Sequence, residues 1–460
     1  MDMKKDSDLT HDSLDFAGGD IPRLFRAIFF PTLVGMVFNA LLTIIDGIFV
    51  GHGVGPDGIA AVNIVAPLFM VVTGLGLMFG IGASVIASIR LAGGDVKAAG
   101  VITTQSFCVG SAIVLAISLP CLLVPSAMVG MLGSSDVLRD KAVDYLLWLL
   151  PGMVFLLIEC VGLMLIRLDG SPRYAMMCNV VAAVFNIVLD YILVFPLGMG
   201  VAGAAIATSV SCVLGGALVL LYFVRYSSTL KFRRLGLSTG GFMPMARNTA
   251  NMARIGFAAF LTELAMSVMM FTGNHVFIHA LGEAGVAAFS IACYLFPVIF
   301  SISNAVAQSA QPIISYNYGA GAMDRVRKAL RTSLAAATVC GILVSAGVAG
   351  GARLIVMAFI SGESAAADIA CSGLPLFALC GIFFALNIAF IGYYQSIEQA
   401  ARATVFTLLR GALLVVPAFL LLPRVTGVAG MWLAIPLSEL LTLLIILADY
   451  RPGARIRGAA

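Results

Sequence analysis

Residues 22–51 read PRLFRAIFFPTLVGMVFNALLTIIDGIFVG, a run longer than the ~20 apolar residues that cross the hydrocarbon core of a bilayer. It reads as a membrane helix, and it carries an acid. A carboxylate near the middle of a membrane costs about 2.5 kcal/mol or more, so such a residue normally faces an interior cavity and marks an ion or substrate path. Asp46 is therefore the first candidate for function. Asn39 lies seven residues earlier, and at 100° per residue it returns to within about 20° of the same helix face. Both polar groups are expected to look into one cavity. Pro31 lacks an amide proton and invites a kink, which a membrane helix tolerates where neighbours or water satisfy the freed carbonyl.

The rest of the chain has the same character. Of 460 residues 61% are apolar and only 11% charged, with a mean hydropathy of +1.05, whereas soluble domains carry about 25% charged residues. This excludes a soluble enzyme or nucleic-acid-binding domain and predicts an all-α polytopic membrane protein. The nine cysteines lie in apolar segments without a CxxC and read as reduced core residues rather than a disulfide framework or metal site. The first 20 residues carry Asp2, Asp6, Asp8, Asp12, Asp15 and Asp20 and no apolar run, so no cleavable signal peptide is expected.

Hydropathy and breakers predict twelve transmembrane helices, at 24–50, 58–86, 100–125, 141–165, 173–196, 202–224, 250–280, 285–313, 328–350, 368–395, 402–422 and 427–449. With the N-terminus in the cytoplasm, inner loops and tails collect 22 of the 27 Lys and Arg. Arg139, Lys141, Arg353 and Arg424 fall outside, and Arg410 falls within the eleventh helix. The positive-inside rule then puts both termini in the cytoplasm, and the basic balance reflects orientation rather than a nucleic-acid partner.

The polar stretch 225–249 divides the helices six and six, into an N-lobe (24–224) and a C-lobe (250–449), flanked by cytoplasmic tails at 1–23 and 450–460. Gly58-Ile-Ala-Ala-Val-Asn-Ile64 recurs as Gly285-Val-Ala-Ala-Phe-Ser-Ile291, and Gly200-Val-Ala-Gly as Gly427-Val-Ala-Gly, both 227 residues later. An even six-helix unit repeats in the same orientation, so the lobes should be related by a pseudo-two-fold axis along the membrane normal, as in parallel-repeat transporters. At that offset Asp46 falls opposite Gly273 and Asp190 opposite Pro417. The two acids belong to the N-lobe alone.

In the fifth helix Asn186 and Asp190 are one turn apart on one face. Asp46 lies 20 residues past Arg26 and Asp190 17 past Arg173, depths of about 30 and 25 Å, so both sit toward the outer half of the membrane. Two carboxylates sharing a site away from bulk water repel and are desolvated, which favours holding a proton there near neutral pH. The same group with the Asn186 and Asn39 oxygens would also suit Na⁺. Glu263 is a further intramembrane acid, in the seventh helix. Asn304, Gln308 and Gln311 make one polar stripe on the eighth, expected to line a cavity. Glu159 and Arg410 are intramembrane charges that either act or are explained by pairing and snorkelling. His275 and His279 have i, i+4 spacing without a third ligand, so no metal site is assigned. No GxxxxGK[ST] loop occurs, and uphill transport would require an ion gradient.

The stretches Asn39–Gly51 (NALLTIIDGIFVG), Asn186–Phe195 (NIVLDYILVF), Gly200–Thr208 (GVAGAAIAT) and Gln311–Gly321 (QPIISYNYGAG) resemble the multidrug and toxic compound extrusion (MATE) family, nearest its MepA-like and DinF-like bacterial branch. The resemblance implies two six-helix lobes, alternating access, and a non-enzymatic, monomeric antiporter of the bacterial inner membrane. It also implies export of small cationic amphipathic compounds against H⁺ or Na⁺, with no cofactor and with lipid as its surroundings. It assigns Asp46, Asn186 and Asp190, with Tyr145 and Thr208, to cation coupling, Pro31 to helix bending, and Glu263 to a C-lobe acid. The tenth-helix Asp that accompanies such a Glu in NorM-type members is absent: 373–396 offers Asn387 and no Asp. The alternatives are a lipid-linked oligosaccharide flippase of the same superfamily, whose cavity would need basic residues where only Arg410 is available, and a membrane sensor or channel.

Overall fold

A computed structural model describes residues 14–235, 239–359 and 364–450, and the two tails lie mostly outside this range. The described chain is helical throughout, without strands. The helices are α1 (Ile21–Gly53), α2 (Pro56–Ala92), α3 (Val96–Leu123), α4 (Pro125–Met131), α5 (Arg139–Leu168), α6 (Pro172–Val194), α7 (Gly200–Leu221) and α8 (Thr239–Gly319). They continue with α9 (Met323–Gly350), α10 (Ala352–Phe359), α11 (Ala365–Ala378), α12 (Cys380–Ser396), α13 (Ala400–Leu408), α14 (Val415–Thr426) and α15 (Val428–Asp449). Among the described residues eleven helical segments are long and apolar enough to cross a membrane, and one of them, Met243–Gly319 with 77 residues, is long enough for two. Its break is Gly282, at φ 67°. Counted so, the twelve expected spans are present.

The internal repeat is written in the backbone. Gly55 (φ 85°), Gly94 (φ 79°) and Gly200 (φ 59°) correspond at the 227-residue offset to Gly282 (φ 67°), Gly321 (φ 71°) and Gly427 (φ 62°). Positive φ is nearly free only for glycine, so each pair turns the chain at the same place in both halves. Helix α3 at the same offset becomes α9, end for end. The short helices α4 and α10 are also repeat partners, and neither was expected, because seven or eight residues between long apolar runs carry no periodicity of their own.

Three expected spans differ in detail. The seventh begins at Thr239 rather than 250, because tertiary contacts hold its polar first turns: Gln105 of α3 donates to Met245 O (2.5 Å) and Thr249 Oγ1 (2.6 Å). The tenth is two helices meeting at Leu379, whose amide turns back tightly to Leu376 O at 3.3 Å. The eleventh contains a π-helical turn at Leu409–Leu413 between α13 and α14, an insertion type often found at functional positions.

The chain packs as two units. The first comprises Arg26–Phe260 with the described residues before Asp20, and the second Asp20–Phe25 with the described residues from Leu261 onward. The division falls inside the seventh span rather than in the polar stretch 225–249. Two close helix approaches explain this. A Cβ at Gly82 of α2 would overlap the backbone of Met252, and one at Gly256 would overlap the backbone of Met78, so two glycines let α8 and α2 touch main chain to main chain. Small residues at such crossings are how apolar helices associate where water supplies no driving force. Gly256→Ala is expected to lower the thermal stability of the purified protein by about 1–3 kcal/mol, measured against Gly347→Ala, which faces open space; equal stability of the two variants would refute the contact. In the second unit the first turn of α1 is tied by Asp20 Oδ1 to Lys328 Nζ at 3.0 Å, and Lys328 holds the Asp20 carboxyl below its usual range.

Within the first unit α5 is the central helix, packed most extensively on α7 and α2. The start of the polar stretch is ordered by Asp169, which follows α5. Its carboxylate accepts from the amides of Ser228 (3.1 Å), Thr229 (3.0 Å) and Leu230 (3.0 Å) and from the Tyr222 hydroxyl (2.8 Å). In the second unit an aromatic group forms the core: Phe277 stacks on Phe289 at 4.6 Å and meets Trp432 edge-on at 5.1 Å.

Candidate functional site

The fifth span places Asn186 and Asp190 on the face of α6 that turns into the first unit, where both are 1% exposed. Helix α1 lies along that face: Phe49 packs on Tyr191 (6.3 Å) and Phe195 (5.6 Å), and Gly35 lies against the Asn179 side chain. This contact brings Asp46 within hydrogen-bond reach of Asp190. Two carboxyl groups make a hydrogen bond only when one carries a proton, because an ionised carboxylate has no donor.

Asn186 serves both sides of the cluster. With its amide oriented to suit its neighbours, Nδ2 donates to Asp190 Oδ2 at 3.0 Å and the side-chain oxygen accepts from Thr208 N at 3.2 Å. The Ser211 hydroxyl, 3.3 Å from the same oxygen, gives its single proton to Thr208 O at 2.8 Å. Tyr145 of α5 is buried within electrostatic range of Asp46, Asp190 and Cys212 of α7. Oδ1 of Asp46 and Oδ1 of Asp190 are buried without a hydrogen-bond partner among the described residues. The first unit thus holds two neighbouring acids with two buried oxygens unpartnered among the described residues.

Five residues assigned to one site by the family resemblance, Asp46, Tyr145, Asn186, Asp190 and Thr208, are together here. Thr208 contributes its main chain rather than its hydroxyl. Asn39 is not part of the group: it is exposed and stands seven residues from Asp46, a rise of about 10.5 Å. A shared face did not bring it to the same depth, so the cage of Asn39 and Asn186 oxygens is not formed. Pro31 lies within an unbroken α1.

The remaining assignments fall in the second unit. Glu263 is buried at 7% exposure and makes no hydrogen bond or ion pair among the described residues. Asn304 is half-buried, while Gln308 and Gln311 are 3% and 4% exposed, so of that stripe Asn304 offers open surface and the two glutamines are turned inward. Asn387 donates to both O and Oε2 of Glu439 (2.8 and 2.7 Å), and Arg410 donates to Glu439 Oε1 through Nε (3.1 Å) and Nη2 (2.9 Å). Arg410 also covers the ring of Phe384 at 4.1 Å. Of the alternatives posed by the sequence for Arg410, pairing is the outcome.

The sequence reading missed Ser211, Cys212 and Asn179. Asn179 had a signal: 179, 186 and 190 step i, i+7, i+11 along one helix face. Ser211 had none, since a lone serine in an apolar helix usually bonds its own backbone.

The MatE family model matches residues 31–192 and 258–420. The multidrug export protein MepA of Staphylococcus aureus (strain NCTC 8325 / PS 47) is 25% identical over 418 residues, 90% of each chain. Among solved structures, a MOP superfamily transporter from Pyrococcus furiosus superposes with a TM-score of 0.86 at 24% identity, covering 94% of this chain and 95% of that one. An outward-facing multidrug resistance MATE family transporter of the same superfamily also gives 0.86, at 23% identity over 94% and 95%. These structures share the fold. The two family segments fall one in each half of the repeat.

Proposed function

Because this chain belongs to the MatE family, we propose that it is a multidrug efflux transporter that exports cationic amphipathic compounds in exchange for H⁺ or Na⁺ by alternating access. The observation that carries the reading is the acid pair: Asp46 and Asp190 from two helices within hydrogen-bond reach, with Asn186 on one of them and two buried oxygens unpartnered. The staphylococcal MepA relatives, which are multidrug export proteins, favour small-molecule cargo and a bacterial inner membrane.

Coupling follows from differential binding. An ion moves a conformational equilibrium only when it binds one state better than the other. A proton on the Asp46–Asp190 pair removes the repulsion between α1 and α6 that two bare carboxylates would create. Its loss to one side of the membrane restores that repulsion and favours the other packing of α1, with Pro31 as the place where its hydrogen-bond ladder is already interrupted. Na⁺ at the same oxygens would act through the same helices.

The flippase alternative loses support at Arg410. Its guanidinium is buried on Glu439 at 2.9 Å, which already neutralises the charge that an anion would need.

The experiment is reconstitution into liposomes with a cationic dye and either an imposed pH gradient or an imposed Na⁺ gradient. Dye movement is expected to follow one gradient at least tenfold faster than the uncoupled leak. Flux indifferent to both gradients would sink the exchange reading and leave a channel or facilitator.

A further inference from the structure

We propose that Glu159 is a second proton-carrying carboxyl of the first unit, which gives up its own proton when drug binds whether or not the Asp46–Asp190 pair can. The inference rests on the exchange reading above and adds a group to it.

Glu159 lies in α5 fourteen residues past Tyr145, about 21 Å along the helix. It is 8% exposed. Its carboxyl lies on α7 at Gly215, where a Cβ would overlap both oxygens, so a glycine makes the room it occupies. The titratable groups around it are thiols: Cys178 of α6 and Cys212 of α7 feel its charge, and Cys160 follows it in α5. Helices α2 and α3 present Gly76 and Gly110 to this stretch. The next basic residue in α5 is Arg167, eight residues on and about 12 Å away. Among the described residues Glu159 makes no hydrogen bond or ion pair.

The other half of the repeat shows what a charged carboxylate needs at this level. Glu439 stands at the repeat position of Cys212, and it is held by Arg410 and Asn387, at the positions of Ala183 and Cys160. The first unit has alanine and cysteine there, and its carboxyl comes from α5 instead. A buried carboxylate without a cation or donors is costly, and a bound proton removes the cost. Cys212, within range of both Tyr145 and Glu159, places that proton on the α5–α7 seam, past the Tyr145 that borders the acid pair and on the side toward Arg167.

The test counts protons. Binding of tetraphenylphosphonium, a permanent cation, is followed at saturating concentration by titration calorimetry in buffers of different ionisation enthalpy, which yields the protons released per chain. The wild type is expected to release protons, Glu159→Gln fewer by up to one, and Glu159→Asp the wild-type number. Asp46→Asn combined with Asp190→Asn leaves Glu159 and its contacts untouched and is expected to retain a residual release, which Glu159→Gln then removes. A folded Glu159→Gln that releases as many protons as wild type overturns this proposal alone. Should Glu159→Gln not fold, a drug-bound Asp46→Asn/Asp190→Asn protein that releases none overturns it equally. A wild type that binds without releasing any proton overturns the proton-exchange reading together with this one.

Discussion

Asp46→Asn should reduce pH-gradient-driven drug efflux in proteoliposomes to the uncoupled background, about 100-fold below wild type, without loss of folded protein. A ligand that moves a two-state equilibrium from 1:99 to 99:1 binds the favoured state about 10⁴-fold more tightly, and the substitution removes one of the two carboxyls that would supply that difference. Asparagine keeps the size of aspartate and can still hydrogen-bond Asp190, so it imitates the protonated acid permanently and leaves the α1–α6 contact intact. The protein should therefore elute and melt like wild type while failing to exchange. Asp190→Asn should give the same result, because each acid is the other's neighbour. Efflux by Asp46→Asn at the wild-type rate would remove the acid pair from the mechanism.

The second large effect is on stability. Arg410→Leu leaves Glu439 buried at 3% exposure with no cation beside it and only the Asn387 amide to hydrogen-bond it. Removing one partner of a buried ion pair costs about 3–5 kcal/mol, so the apparent Tm in detergent should fall by about 10 °C. Arg410→Met combined with Glu439→Leu removes both charges and should recover most of the loss, since packed apolar groups often replace a buried pair without penalty. A single variant that melts with the wild type, or a double variant no better than the single, would show that the pair does not hold α12, the π turn and α15 together.

Much of this architecture could be read from residue order. The spans follow from the length of apolar runs, because a backbone in hydrocarbon must satisfy its own hydrogen bonds and only a helix does so locally. The repeat could be read from glycines, because a positive φ admits few other residues: Gly55 and Gly282 or Gly200 and Gly427 are the same turn made twice. The acid pair was half legible. Asp46 and Asp190 are conspicuous in apolar helices, but period and depth constrain a residue along its own helix and say nothing of its neighbour. For that reason helical period alone groups Asn39, on the right face at the wrong height, with them and leaves Ser211 out.

The composition, the alternation of spans and turns, and the confinement of the Asp46 and Asp190 acids to the first half were present in the one-dimensional chain, since each depends on local chemistry or on simple spacing. Which intramembrane charge is compensated was settled only by packing. Arg410 and Glu159 looked alike in sequence, yet a π turn carries the first onto Glu439 while the second rests against Gly215 with no cation beside it. The energy of a buried charge depends on atoms from other helices within a few ångströms, and those neighbours exist only after the bundle has formed.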